Sequence, residues 1–501
     1  MRLIHMPFAI GVIAAACAET EVSELRPALS LADRIAACAA DPRVVAGVVS
    51  VDVCVGADLF FREQFAGNGR SCATCHPVDN NFTIDVPFIA KLPPDDPLFV
   101  AEFDPALAGL EIPAQLRGRG LILENVDGVE PDPTVKFVLR SVPHNLSMGV
   151  TVTRGPADPV PTPADRTGWS GDGAPGAGTL RDFQTGAIIQ HYTRSLDRIE
   201  GEDFRLASDG ELDSIAQFMR ELGRTNELAL ATVVMSDARA EAGRNVFLTV
   251  GGCDLCHANA GANVASVFGG GNLLFDTGVE SARSSALAGF PRDGGFLRDP
   301  NATGGFGDGT FNMPSLVEAA DTGPFFHTAT TVSGASAHNT EVATTIEEAI
   351  AFYDSPAFNA SPIGQLLPID LTAEQIDDVG RFLRGVNAAF NAQLALKRLD
   401  AARALVHRFG NKHASVQREL LRLANVEVSD AIEVLLGQAQ LNVESQAALV
   451  YARVLVELAQ STVSPAIRLA AILAAQGAVT LASTKLGTNL TFAIGEGTVM
   501  F

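Results

Sequence analysis

The chain reads as helical blocks divided by long aperiodic stretches. Apolar residues recur at spacings of three and four over Leu29 to Ala40, Leu180 to Arg194, Asp209 to Leu222, Ala238 to Phe247 and Thr345 to Tyr353, predicting a helix in each. Ser208 with Glu211, and Thr372 with Gln375, have capping-box spacing, so one helix should start at Asp209 and another at Ala373, the latter running to Leu383. Residues 77 to 180 are rich in Pro, Gly and Asp and read as loops with short helices, and residues 259 to 310 are Gly-rich and aperiodic. From 397 to 483 Ala and Leu dominate at helical spacing and Ser464-Pro465 marks a helix start, so four or five packed helices are expected. Leu490 to Phe501 alternates as a strand would.

At 501 residues there is room for two to four domains, and 47% hydrophobic content excludes global disorder. A net charge of -22 argues against nucleic acid and suits a basic protein partner. The charge is uneven: from Lys397 onward ten Lys and Arg face eight Asp and Glu, which leaves about -24 on the rest and marks a boundary near residue 396. Arg2, the apolar run Met6 to Ala16 and Ala16-Cys17-Ala18 read as an export signal over residues 1–18. Alternatively Cys17 is the lipidated first residue of a lipoprotein, the one route by which a membrane would enter. No later apolar run reaches the ~18 residues of a membrane span.

Four of the seven cysteines lie in Cys72-Ala73-Thr74-Cys75-His76 and Cys253-Asp254-Leu255-Cys256-His257. This is the c-type haem attachment pattern, in which two thiols add to the macrocycle and the imidazole binds iron. Chance predicts on the order of 0.002 such motifs at this Cys and His usage, so two copies imply two covalent haems with His76 and His257 as proximal ligands. Such attachment normally occurs outside the cytoplasm, which agrees with export to the periplasm or cell envelope. Cys38 and Cys54 are left to form a disulfide or to stay buried thiols. The elements around the motifs repeat in order, so the expected fold is mainly α: two cytochrome c-like haem domains with long loops, at 19–235 and 236–395, and a helical extension at 396–501.

The sixth iron position decides the chemistry, because a filled one carries electrons and an open one admits peroxide. For the first haem the nearby candidates are His144, Met148 and His191, with His191 ranked first; for the second they are Met313, His327, His338 and Tyr353. Met313 follows His257 at a loop length that suits an axial thioether, and is equally well a core methionine.

These motifs, together with Gly168-Trp169-Ser170-Gly171-Asp172-Gly173, Gln184, Phe311 to Leu316, Gly323-Pro324-Phe325-Phe326-His327 and Thr345 to Tyr353, resemble the bacterial di-haem cytochrome c peroxidase superfamily, including its MauG-like branch. The resemblance covers roughly residues 50 to 390. It implies two facing haem domains, with Trp169 between the haems assisting electron transfer and Gln184 in the peroxidatic pocket. It also implies Tyr353 as a distal ligand in preference to Met313, calcium between the domains, and a small redox protein as electron donor or acceptor. The implied activities are peroxide reduction or, as in the MauG-like branch, oxidation of a partner protein; a pure electron carrier is the alternative. One departure stands out. The family has a Glu roughly ten residues beyond the matched Gln, where it moves protons. Here Arg194 falls near that position, with Glu200 and Glu202 further on.

Overall fold

The computed structural model describes residues 29–125, 136–156, 164–173, 178–297, 299, 305–328, 343–437 and 441–500, and the protein is mainly α. Its longer helices are α1 (Leu31–Ala39), α2 (Val51–Arg62), α3 (Leu180–His191), α4 (Asp209–Arg220), α5 (Ala238–Leu248), α6 (Ile346–Tyr353), α7 (Ala373–Phe409), α8 (Ala414–Leu436), α9 (Val443–Ser461) and α10 (Pro465–Leu486). Their starts are written locally. Both expected capping boxes form, at Ser208 with Glu211 and at Thr372 with Gln375, and Thr345 with Glu348 makes a third. Ser464 caps α10, with Pro465 in its first turn, where a missing N–H costs nothing.

Strands are short and antiparallel. β1 (Leu121–Asn125) pairs with β2 (Phe137–Ser141), a buried ribbon inside the stretch read as loops. β3 (Val234–Met235) pairs with a late segment, Gly487–Thr488, and β4 (Leu274–Phe275) with β5 (Phe311–Asn312); Gly487–Thr488 is β6. The expected strand at Leu490 to Phe501 does not form. Beyond β6 the chain is a strap ending in a 3-10 turn at Glu496–Val499, tied back by Thr225 N–H to the Ala493 carbonyl (2.8 Å) and by Arg43 to the Val499 carbonyl (3.3 Å). Buried Leu490, Phe492 and Val499 supply the apolar positions that imitated a strand.

The boundary expected at residue 396 falls inside one unbroken helix. α7 runs 37 residues, not to Leu383 but to Phe409. Every residue from Phe382 to Ala392 is buried, because α5, α8 and α10 surround α7, so no polar face interrupts the pattern. α7, α8, α9 and α10 pack as a ring of four, with α7 and α8 innermost against α5 and the turn at Ala319–Asp321. One apolar cluster runs from Cys38 to Met500 and draws on all three sections of the chain. Cys38 and Cys54 form a disulfide between α1 and α2, with Cα atoms 5.8 Å apart. Contrary to the expectation of no later span, Pro465–Leu486 is long and apolar enough to cross a membrane by length and composition, at a mean hydropathy of 1.5. Residues 1–18, with Cys17, and His338 lie outside the described residues.

Candidate cofactor site

The two Cys-x-x-Cys-His segments adopt the same local structure. Cys72–Cys75 and Cys253–Cys256 are each one helical turn, which places sulfurs three residues apart on one face. Each turn closes when the His N–H donates to the first Cys carbonyl, at 2.9 Å for His76 and 2.7 Å for His257. The histidines share a backbone conformation, φ -122° and ψ 61° for His76 against φ -115° and ψ 60° for His257. The entrances differ. Ser71 and Thr74 cap the first turn reciprocally, whereas Gly252 enters the second at φ 58°, a left-handed conformation that glycine adopts without strain.

Both imidazoles are anchored through Nδ1. His76 Nδ1 stands 2.9 Å from the Phe82 carbonyl, and His257 Nδ1 stands 3.1 Å from the Pro314 carbonyl and 3.3 Å from that of Gly261. Donation to a carbonyl fixes the proton on Nδ1 and leaves the Nε2 lone pair for a ligand. Burial pushes both rings down to about 4, so they are neutral at neutral pH. Burial likewise holds the four sulfurs as thiols, with Cys72 and Cys256 raised to about 11 and Cys75 and Cys253 to about 12. None of the four is disulfide-bonded, and the Tyr192 hydroxyl donates to Cys72 Sγ at 3.2 Å.

All six motif residues line one continuous cavity of about 590 Å³. Its wall is mostly apolar, and the charged groups that face it are buried and paired: Arg70 with Glu111, and Arg140 with Asp293 and Glu124, with Arg166 beside them. Arg140 joins the halves, gripping Asp293 (2.6 and 2.8 Å) and Glu124 (3.0 and 3.2 Å). This donor set fits a flat apolar group: two thiols and one neutral imidazole per turn, in a mostly apolar wall.

The remaining sequence candidates also reach the cavity, in different circumstances. Trp169 donates from Nε1 to the Ser141 carbonyl (2.8 Å), and its own carbonyl accepts from Asn312 N–H (2.8 Å), so a first-half loop is stitched to β5. Gln184 donates to the Met219 sulfur (3.4 Å), while its buried Oε1 has no partner. Tyr353 is packed edge-on against Phe352 and Phe358. Burial and then the Cys256 and Cys253 sulfurs raise its pKa, which places it beside the second Cys turn. Met313 precedes the carbonyl that anchors His257 and is buried there, so the chain brings it to the His257 side. The His327 ring is already committed, stacked on Phe311 with centroids 4.0 Å apart and with Nε2 2.5 Å from Glu280.

Two histidines line the cavity near the first turn. His191 lies 4.0 Å from Glu111, and burial, followed by Arg70, Arg198 and His76, lowers it to about 3. His144 is different: neither ring nitrogen has a hydrogen-bond partner among the described residues, and Nδ1 is wholly buried. Arg194 is exposed and donates to the Glu202 carbonyl; neither it nor Glu200 nor Glu202 lines the cavity. Glu124, the cavity arginines and Tyr192 were missed from sequence, because no motif marks them and the fold alone gathers them. Among the described residues no group of three or more His, Cys, Asp or Glu is arranged to hold a metal ion, so no ligand set for the calcium implied by resemblance is found there. No protein-family model, curated protein or solved structure matches the chain.

Proposed function

We infer that the chain is an exported di-haem c-type cytochrome of the cytochrome c peroxidase type, an oxidoreductase that transfers electrons to hydrogen peroxide. The observation that carries this is the pair of matching Cys-x-x-Cys-His turns, each with an Nδ1-anchored histidine, opening on one apolar cavity. Cys72, Cys75 and His76 would hold one haem, and Cys253, Cys256 and His257 the other. Bound haem supplies reversible one-electron chemistry and, with an open axial position, a site for peroxide.

The chain's own residues have definite tasks in this scheme. The Phe82 and Pro314 carbonyls orient the proximal rings and make them better donors. Arg70 and Arg140, held by Glu111, Asp293 and Glu124, brace the cavity, and the apolar wall excludes water. Trp169, fixed at both ends, spans from the first-half loop toward Tyr353 and Phe311 and suits relay between the two centres. Proton movement has to use groups already at the cavity. Glu124 and His144 are there, whereas the acids beyond Arg194 are not.

A second function is favoured by the position of Arg194, Glu200 and Glu202, none of which lines the cavity. If His144 or His191 fills the first iron and Tyr353 the second, both centres are six-coordinate and the protein relays electrons to a small redox protein. Spectra separate the two. The oxidised and half-reduced chain, produced with c-type haem maturation, should keep haem through acid-acetone extraction, and one haem should be high-spin and shift with peroxide. Two low-spin haems indifferent to peroxide in both states would leave the carrier, and a chain that attaches no haem would end both.

A further inference from the structure

The outer layer of the C-terminal ring carries an apolar face that nothing in this chain covers. Only 39% of the most apolar window of α10 is buried. On α9 the outward positions are Val443, Val450, Tyr451, Val454 and Leu458, and Val454 is 55% exposed at their centre. On α10, Ile467, Ala470, Ala474, Gly477 and Leu481 point outward at spacings of three and four in strict alternation, the period of a helix-to-helix seam. Small residues in the middle of that row let a second helix approach closely, and a Cβ built on Gly477 would meet nothing within 4 Å.

We propose that this α9–α10 face is the contact between two copies of the chain, joined across a two-fold axis as a second layer of four helices. Three arguments select a second copy. The first is charge. The chain carries -22, and two such bodies repel. The section beyond residue 396 is the part near balance, so copies meet there with least repulsion. A basic protein would be drawn to the acidic remainder instead. An anionic membrane would repel that remainder, and the face has no cluster of basic residues to offset this: Lys485 is paired with Glu444 and Arg453 is half-buried, with Glu457 at the edge. The second is period, since alternating three-four spacing specifies a packed helix and a lipid surface requires no such register. The third is size. Helices of 19 and 22 residues offer a strip ~30 Å long and two helices wide, on the order of 600–800 Å² per copy, close to the ~800 Å² of a stable interface.

The test uses the full, haem-loaded chain in sedimentation equilibrium from nanomolar to high micromolar concentration. The expected result is about twice the chain mass at the upper end. Val454→Glu and Leu481→Glu, both at exposed positions, should each raise the dissociation constant by at least about 100-fold with the circular-dichroism spectrum of the folded chain unchanged, because each buries an unpaired charge at the seam. A wild-type chain that is monomeric throughout overturns the proposal, as does a dimer indifferent to both variants. Flotation of a monomeric chain with phosphatidylethanolamine–phosphatidylglycerol vesicles, lost in Leu481→Glu, would assign the face to a membrane and likewise overturn it.

Discussion

A buried polar group with no partner is costly, so the protein's few such groups near the cavity report where a ligand belongs. His144 and Gln184 are two of them. His144 lines the cavity with no hydrogen-bond partner, near the buried Arg224–Glu318 pair, while His191 is hemmed in by Arg70, Arg198 and Glu111. His144→Ala should therefore alter the spectrum of one haem more than His191→Ala does, reversing the order the sequence suggested; equal, negligible effects would remove both as ligands. Tyr353, beside the Cys253 and Cys256 thiols, is the matching candidate near the second turn. Its hydroxyl resists ionisation beside two thiols, so only a cation such as ferric iron would favour the phenolate. Tyr353→Phe should change the electronic spectrum of one haem and raise that haem's potential, since an anionic oxygen ligand favours the oxidised state. An unchanged spectrum would take Tyr353 out of the coordination sphere.

At the scale of elements, the inner layer of the C-terminal ring meets the turn at Ala319–Asp321 through a carboxylate cluster. Asp321, in the turn at Ala319–Asp321, accepts from Asn391 (2.6 Å) and from Asn387, and Glu427 and Asp430 approach it from α8. Burial pushes Asp321 up to about 7, against its ordinary value near 4. The folded state thus holds this proton more tightly than the unfolded chain does. Its stabilisation is complete below about pH 4 and is lost as pH rises through about 7. Asp321→Asn should accordingly raise the melting temperature at pH 8 more than at pH 5; an equal shift at both would mean that Asp321 ionises freely. None of this was legible in the sequence, and the reason is physical. Helix starts were readable because capping is local: Ser208, Thr345, Thr372 and Ser464 each satisfy their own first turn. The helical stop was not, because α7 is buried on nearly every side and its continuation past Leu383 is decided by α8 and α10. At the site, the Cys turns and their histidines were legible because the chemistry fixes the spacing. Glu124 and Arg140 were not, because no motif marks them and only the pairing of β1 with β2 brings them to the cavity.

At the scale of the whole molecule the question is whether the section beyond residue 396 is a removable appendage. Its composition suggests so, and its packing opposes it. A chain ended at residue 396 would cut α7 and remove α8 and α10, uncovering Phe382, Val386, Phe390 and Leu394, all at most 1% exposed in the intact protein. Each such side chain contributes roughly 1.5–3 kcal/mol by burial, so the loss approaches the ~5–15 kcal/mol that holds a typical domain together. It would also strand β3 without β6 and release the strap that holds Arg43 and Thr225. Phe247, which lines the cavity just before the second Cys turn, rests on Phe382 of α7, with ring centroids 5.4 Å apart. Damage at α7 therefore reaches the second site before the first. A chain truncated at 396 should be recovered in low yield, and what is recovered should show the Cys253–His257 haem lost or perturbed, as read by haem content per chain and by its spectrum. A truncated chain that carries two haems and melts with the full-length protein would show that the helical ring is an independent appendage.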